Sequence, residues 1–191
     1  MCIRDRPDIV CIAKGLGAGY QPIGATICTD KIYAAIKNGS GFFQHGHTYL
    51  GHPMAAAAAN AVLDVLLNDN ILKNVNKSGD YLKDTLRAKF AQHAHVGDIR
   101  GRGLFYGLEI VQDRESKEPF PSSYGIARKI KSVAKDKGLL CYPMSGTVDV
   151  KIGDHVLLAP PYIINETEIN NLSTLLAESL DQVFEICKVN I

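Results

Sequence analysis

The sequence lacks an excess of charge of either sign and lacks any long apolar run. Its 21 Lys and Arg residues nearly balance its 20 Asp and Glu residues, which leaves a net charge of +1. That balance gives no support to binding of nucleic acid or another polyanion. No apolar run is long enough to cross a membrane, and no signal-peptide pattern opens the chain. We therefore predict a cytoplasmic protein with neither nucleic acid nor membrane as a partner.

The sequence also lacks paired cysteines. No two of its five cysteines form a CxxC pair; they are Cys2, Cys11, Cys28, Cys141 and Cys187. This scatter is typical of reduced thiols in a reducing compartment. It predicts neither a disulfide framework nor a zinc site.

We interpret the first six residues as a product of DNA sequencing and not as part of the natural protein. The stretch MCIRD back-translates to the transposon-end adapter that is used to prepare sequencing libraries. The last bases of that adapter would leave a codon for Arg or Ser, and position 6 is Arg. We predict that residues 1–6 are an adapter scar outside the fold and that the chain is a C-terminal fragment of a longer protein. A genuine short N-terminal segment is the alternative.

The order of predicted elements indicates an α/β protein. Apolar, β-branched runs predict a buried strand at 8–13 and a second strand at 23–29. The alanine-rich segment that begins at Pro53 predicts a helix that is apolar nearly all round and therefore buried. Further along, the pattern predicts a helix at 71–92, a strand at 104–111, a helix at 123–137 and a last helix capped by Asn165 and Glu168.

Lys14 directly follows the first predicted strand and is itself followed by Gly15, Gly17 and Gly19. At the edge of a buried site, desolvation disfavours an ammonium group and favours the neutral amine. A neutral amine is a nucleophile that forms a Schiff base with an aldehyde cofactor or a carbonyl substrate. The glycines would allow a sharp turn and a close approach of the backbone to a bound group. A surface lysine beside an ordinary turn is the alternative, and the segment fits neither GxGxxG nor a P-loop.

A second cluster, HGHTYLGHP at 45–53, precedes the alanine-rich helix. Free amides at a helix N-terminus, with the Thr48 hydroxyl nearby, would suit a phosphate group. A metal site built from His45, His47 and His52 is a rival, although no carboxylate accompanies them at a typical ligand spacing. A plain turn before a helix is the third possibility.

Together the two clusters resemble the class III aminotransferases, which use pyridoxal 5′-phosphate (PLP) on the aspartate-aminotransferase-like fold. DIVCIAKGLGAGYQPIGA at 8–25 is similar to the family's lysine motif, and HGHTYLGHP is similar to its threonine motif. DIRGRGLFYGLEIV and GDHVLLAPPYIINETEI resemble parts of the family's C-terminal domain. The resemblance implies that residues 7–92 are the end of the large PLP-binding domain with a connecting helix. It implies that residues 96–191 form the small C-terminal α/β domain.

The resemblance also implies an activity and the residues that carry it. Lys14 would form the aldimine with PLP and then move the substrate proton, while the pyridine ring serves as the electron sink. Thr48 would contact the cofactor phosphate, usually across the interface of a homodimer. Tyr20 and Gln21 follow the glycine loop and either border the site or have a structural role before the second strand. The implied reaction exchanges an amino group between an amine or amino acid and a 2-oxo acid, without a metal. A PLP-dependent aminomutase or decarboxylase of the family, or a catalytically silent dimerisation or folding module, are the alternatives.

The chain departs from the family pattern in two respects. The family's aspartate on the pyridine nitrogen, its stacking aromatic ring and its Gly-Ser/Thr phosphate loop all precede the lysine, and Asp8 does not match that aspartate. We therefore expect none of these groups in this chain. The arginine with which some ω-amino members bind a substrate carboxylate falls at Val150, beside Lys151. Lys151 could bind the carboxylate in its place, although we expect a solvent-exposed lysine there. Arg100 and Arg102 are other candidate cations, and for both we expect ordinary structural pairing.

Overall fold

A computed structural model of the chain describes residues 6–187, so the predicted adapter scar lies outside the described residues except for Arg6. The chain separates into two compact units, one up to Asn70 and one from Ile71 onward. Both contain helices and strands, as predicted for an α/β protein. The strands are β1 (Ile9–Ala13), β2 (Gly24–Cys28), β3 (Val96–Arg102), β4 (Phe105–Ile110), β5 (Tyr142–Val148) and β6 (Ile152–Leu158). The α-helices are α1 (Asp30–Asn38), α2 (Pro53–Asn68), α3 (Ile71–Phe90), α4 (Ile126–Asp136) and α5 (Glu166–Ile186).

The first unit is built on an antiparallel pair of strands. β1 pairs with β2 from Ile9 opposite Cys28 to Ala13 opposite Gly24. All five residues of β1 are exposed, so the prediction of a buried strand is wrong for this chain. The physical reason is that β1 pairs only with β2 among the described strands, and a two-stranded sheet buries little surface by itself.

The alanine-rich helix α2 also forms where predicted but is largely exposed. Of its sixteen residues, only Ala55 and Ala59 are buried. Leu67 near its C-terminal end is 74% exposed. The prediction of a buried helix is therefore wrong here, because only a short stretch of α2 contacts the turn that follows β1. Within residues 6–187, no helix is long and apolar enough to span a membrane.

The second unit holds the larger core. Its antiparallel sheet has the strand order β3-β4-β6-β5, and α3 and α4 both pack against α5. The capping box predicted at the start of α5 is confirmed: Asn165 accepts from the Glu168 N–H at 3.0 Å, and Glu168 accepts from the Asn165 N–H at 2.9 Å. Helix α3 packs with this unit, whereas we assigned it to the preceding domain. The domain limits at 92 and 96 stay a prediction.

Gly79 marks the closest approach of α3 to the β3–β4 turn. A Cβ at this position would lie 2.4 Å from the carbonyl oxygen of Gly103 and 2.6 Å from its carbonyl carbon. Alanine is favoured over glycine in a helix by about 1 kcal/mol, but overpacking against rigid backbone costs about 1–3 kcal/mol or more. We therefore expect Gly79→Ala to lower the free energy of unfolding of the second unit, as measured by urea denaturation.

The control for Gly79→Ala is Ala88→Gly, at an exposed position of the same helix. It measures the helix-propensity contribution alone, which should cost about 0.5–1 kcal/mol. A Gly79→Ala variant that is more stable than the parent chain would contradict the close approach.

His93 lies in a half-buried position beside the aromatic rings of the second unit. The His95 backbone N–H donates to His93 Nδ1 at 3.1 Å, so the proton of the neutral His93 ring sits on Nε2. That Nε2 lies 3.7 Å from Asp181 Oδ1, which is too far for a hydrogen bond. Burial, together with the neighbouring His95, lowers the pKa of His93, and Asp181 opposes this only in part.

The lowered pKa of His93 predicts a pH-dependent stability. Below about pH 6.5, the ordinary histidine pKa, the unfolded chain takes up a proton at His93 that the folded chain resists. The free energy of unfolding should therefore fall as the pH drops through this value and level off below the folded-state pKa. Urea midpoints measured between pH 8 and pH 5 should show the loss, and His93→Phe should reduce it. An unchanged pH dependence in His93→Phe would contradict the assignment.

Candidate functional site

Lys14 begins a short 3-10 turn, Lys14–Leu16, directly after β1. Its φ is +51°, and its carbonyl oxygen accepts from the Gly17 N–H at 3.1 Å. Ala18 and Gly19 also have positive φ, at 45° and 83°, and complete the reversal toward β2. The Lys14 side chain is exposed in this chain, whereas we expected it at the edge of a buried site. The structure therefore presents the amine on an open surface at the end of the strand pair.

The three glycines after Lys14 have different roles in the turn. Gly17 is buried, and a Cβ there would lie 2.5 Å from the backbone oxygen of Gln21 and 2.9 Å from Ile23 Cγ2. Gly17 therefore permits a close backbone approach that no side chain would tolerate. Gly19 supplies the positive φ, while a Cβ at Gly15 would meet open space. The space beside Lys14 at Gly15 is thus free for another group.

The second motif forms a tight turn and a helix cap. The Leu50 N–H donates to the His47 oxygen at 3.0 Å, and the His52 N–H donates to the Tyr49 oxygen at 3.1 Å. His52 is the N-cap of α2, and its Nδ1 accepts from the Ala55 N–H at 3.3 Å. We did not predict from the sequence that the His52 ring caps α2, although a histidine directly before Pro53, the first residue of the helix, could have indicated it.

The start of α2 offers fewer free amides than we expected. Pro53 has no N–H, the Ala55 N–H is bound by the His52 ring, and the Ala56 N–H donates to the His52 carbonyl oxygen. Within residues 6–187, this leaves Met54 as the residue of the first helical turn whose N–H has no partner. The exposed Thr48 hydroxyl likewise has no partner in that range. Two hydrogen-bond donors are therefore available to an anion at this helix end: the Met54 N–H and the Thr48 hydroxyl.

A cleft of about 670 Å³ lies between the two motifs within the first unit. The cleft is lined by residues 21–24 and by His47, Tyr49, Leu50, Gly51, His52, Ala55 and Ala56. Gln21 lines this cleft, whereas Tyr20 does not. Lys14 and Thr48 are not wall residues, although Thr48 stands between two that are. The structure thus brings the two sequence motifs together but leaves both predicted site residues outside the cleft itself.

The alternative of a histidine metal site finds no support. Among the described residues, no group of three or more His, Cys, Asp or Glu side chains is arranged to hold a metal ion. His47 and His52 both line the cleft, but the His52 ring nitrogen Nδ1 is engaged in capping α2. His45 instead packs its ring against Phe43, with the ring centroids 5.9 Å apart.

The cations considered for a substrate carboxylate all lie in the second unit. Arg100 Nη1 pairs with Asp98 at 2.7 Å and with Glu109 at 2.9 Å, which confirms the structural pairing expected for it. Arg102 makes no ion pair with any residue of the described range, so the pairing expected there is not found. Lys151 is exposed at the β5–β6 turn, as expected, beside a Val150 that is 90% exposed.

Comparison with known proteins decides the family. The sequence profile described as Aminotransferase class-III matches residues 2–180. The chain belongs to this family. This class-III aminotransferase sequence is 42% identical over 175 residues to an aminotransferase of Gibberella zeae, a match that covers 91% of the chain and 34% of the fungal protein. The chain therefore spans about a third of that relative's length.

Solved structures of transaminases share the fold of this class-III aminotransferase chain. A transaminase from the marine bacterium Virgibacillus superposes with a TM-score of 0.87 at 32% identity, over 96% of the chain and 41% of that protein. An amine transaminase from an uncultivated Pseudomonas species, solved in its PLP-bound form, gives a TM-score of 0.77 at 36% identity. That match covers 95% of the chain and 39% of the solved protein. The predicted PLP-dependent transaminase fold is thereby confirmed.

Proposed function

We propose that this chain is the lysine-bearing part of a PLP-dependent aminotransferase. The longer protein would exchange an amino group between an amine or amino acid and a 2-oxo acid, as a cytoplasmic homodimer. One observation carries the proposal: residues of the lysine motif and residues of the threonine motif line one cleft. A cleft of about 670 Å³ falls within the range of cofactor sites, roughly 300–1,000 Å³.

The residues present fit PLP at two points. Lys14 offers an exposed amine with free space beside it at Gly15, which suits covalent attachment to an aldehyde. The Thr48 hydroxyl and the Met54 N–H are free donors beside the cleft, which suits a phosphate group. In the family the threonine usually serves the cofactor of the neighbouring subunit, and for this reason we include a homodimer in the proposal.

The chain's own residues would contribute attachment, orientation and proton transfer. Bound PLP supplies an electron sink for the charge that develops when a substrate Cα loses its proton. Lys14 Nζ would hold the cofactor aldehyde first, and after its release would take and return that proton. Thr48 would orient the phosphate end by donating its hydroxyl hydrogen. Gly17 would allow the close backbone approach to Gln21 in the turn that follows Lys14.

The experiment is a chimera with a solved relative. The two fifths of the Virgibacillus transaminase that this chain matches would be replaced by residues 7–191. An amine donor and a 2-oxo acid are supplied with PLP, and all products are measured. Equal amounts of new amino acid and of deaminated donor support the proposal. Release of carbon dioxide or an isomerised amine would favour the decarboxylase or the aminomutase. A chimera that binds PLP without any turnover would favour the catalytically silent module.

A further inference from the structure

The second unit brings a thiol and an amine together outside the candidate cofactor site. Lys129 of α4 donates from its Nζ to the Sγ of Cys187, at the C-terminal end of α5, over 3.1 Å. Both side chains are half-buried, so they stay accessible to a small solute while their positions are restricted.

This pairing sets Cys187 apart from the other described thiols. Cys11 and Cys28 are exposed, and Cys11 faces the Thr26 hydroxyl at 3.7 Å. Cys141 is half-buried, and burial raises the pKa of its thiol, which disfavours the reactive thiolate. Among the cysteines in residues 6–187, Cys187 alone contacts an amine. An amine held in contact with a sulfur is placed to attack that sulfur once a peroxide has oxidised the thiol.

We propose that Cys187 and Lys129 form a peroxide-responsive covalent pair. Hydrogen peroxide transfers one oxygen atom to the Cys187 thiolate, which gives the sulfenate and one water, and the sulfenate takes up a proton to become sulfenic acid. The deprotonated Lys129 amine then attacks Sγ, an S–N bond forms, and the sulfenic hydroxyl leaves as a second water after taking up the amine proton. The sulfur is oxidised and one peroxide is reduced, so the linked chain has lost two hydrogen atoms overall. A thiol reductant would restore both side chains.

The short distance between the Lys129 and Cys187 side chains allows the S–N bond to form, and that bond would cross-link two helices of the second unit. Nζ and Sγ already lie in contact, and the flexible lysine stem can close the remaining distance without a change of backbone. The bond would join residues 58 positions apart in the sequence and tie α4 to the end of α5. A cross-link over a long loop restricts the unfolded chain, so oxidation should raise the thermal midpoint of the second unit.

The test is mass spectrometry on the full 191-residue chain after treatment with dilute hydrogen peroxide. We expect a peptide pair joined between Lys129 and Cys187 that has lost two hydrogens and is released by dithiothreitol. Cys187 should be oxidised faster than Cys141, because burial raises the pKa of the Cys141 thiol. Cys187→Ser should remove the linkage. Lys129→Arg keeps the positive charge but is a poor nucleophile, so its Cys187 should instead be trapped as sulfenic acid by dimedone.

Three results would overturn the proposal. The first is a disulfide between Cys187 and another cysteine. It also loses two hydrogens, but it joins the Cys187 peptide to a second cysteine peptide and not to the Lys129 peptide. Oxidation of Cys187 to sulfinic acid without any link to Lys129 would show that the amine does not capture the sulfur. Equal trapping of Cys187 by dimedone in the parent chain and in Lys129→Arg would show that the Lys129 amine does not capture the oxidised sulfur.

Discussion

Replacing Lys14 with alanine is expected to lower the rate of amino transfer in the chimera by at least about 10²- to 10⁴-fold, the contribution typical of one general acid–base group. The expected loss exceeds this range if attachment of the cofactor fails as well. Thr48, the other residue assigned to the site, can neither bond to an aldehyde nor exchange a proton near neutral pH. Steady-state assays with an amine donor and a 2-oxo acid give the measurement.

Two variants serve as controls for the Lys14 prediction. Lys14→Arg keeps the positive charge but loses the nucleophilic amine, so it should be as inactive as Lys14→Ala. Lys31→Ala removes an exposed lysine of α1 in the same unit and should leave the rate unchanged. A Lys14→Ala chimera that retains more than about a tenth of the rate would contradict the assigned role, since proton transfer by a side chain contributes more than that.

Truncation of Phe184 is expected to produce the largest loss of stability among the variants considered. Phe184 is fully buried, stacks on Phe120 with ring centroids 5.9 Å apart, and lies 4.5 Å from the His95 ring. Phe→Ala substitutions in cores cost about 3–5 kcal/mol, because both the transfer free energy and the packing around the cavity are lost. We expect the free energy of unfolding of the second unit to fall by this amount. Urea denaturation measures the fall, with hydrogen exchange of the β4 amides as the readout of unfolding.

The matched variant Phe184→Leu keeps most of the buried volume. It should cost less than about 1.5 kcal/mol, as volume-conserving core substitutions usually do. The difference between the two variants then measures the cavity rather than the ring itself. A Phe184→Ala variant that loses less than about 1 kcal/mol would show that α5 does not pack as described, since buried Phe truncations cost more than this.

Local signals in the sequence predicted the elements that depend on local chemistry. The Asn165–Glu168 capping box marked the start of α5, and Pro53 at the first helical position marked the start of α2. Apolar periodicity predicted α3 within two residues at its C-terminal end. The glycines after Lys14 indicated a turn, and Gly17 does make a close backbone approach there. Such features need no knowledge of distant residues.

Features that depend on distant partners were not predictable in the same way. β3 contains Arg100, Gly101 and Arg102, and β5 contains Pro143 and Gly146, so neither shows the apolar alternation that predicts a strand. Both are edge strands of the sheet, where pairing with one neighbour suffices. The prediction that β1 and α2 are buried was wrong for a related reason. Apolar residues favour burial, but they do not show which residues pack against them, and the described residues leave most of β1 and α2 exposed.

The candidate site was predicted at the level of motifs rather than of side chains. The likeness of two separate segments to one family placed both near a common ligand, and those segments do line one cleft. The ring cap by His52, which uses up an amide at the start of α2, followed from no spacing rule that we applied.

The most direct test of the central claim is to mix the 191-residue chain with PLP, reduce with borohydride, and map the modified peptides. Lys14 should carry a stoichiometric adduct and should outcompete Lys31 and Lys37, the exposed lysines of the same unit. Labelling spread evenly over these lysines, or absent from Lys14, would contradict the claim that this chain selects Lys14 for the cofactor.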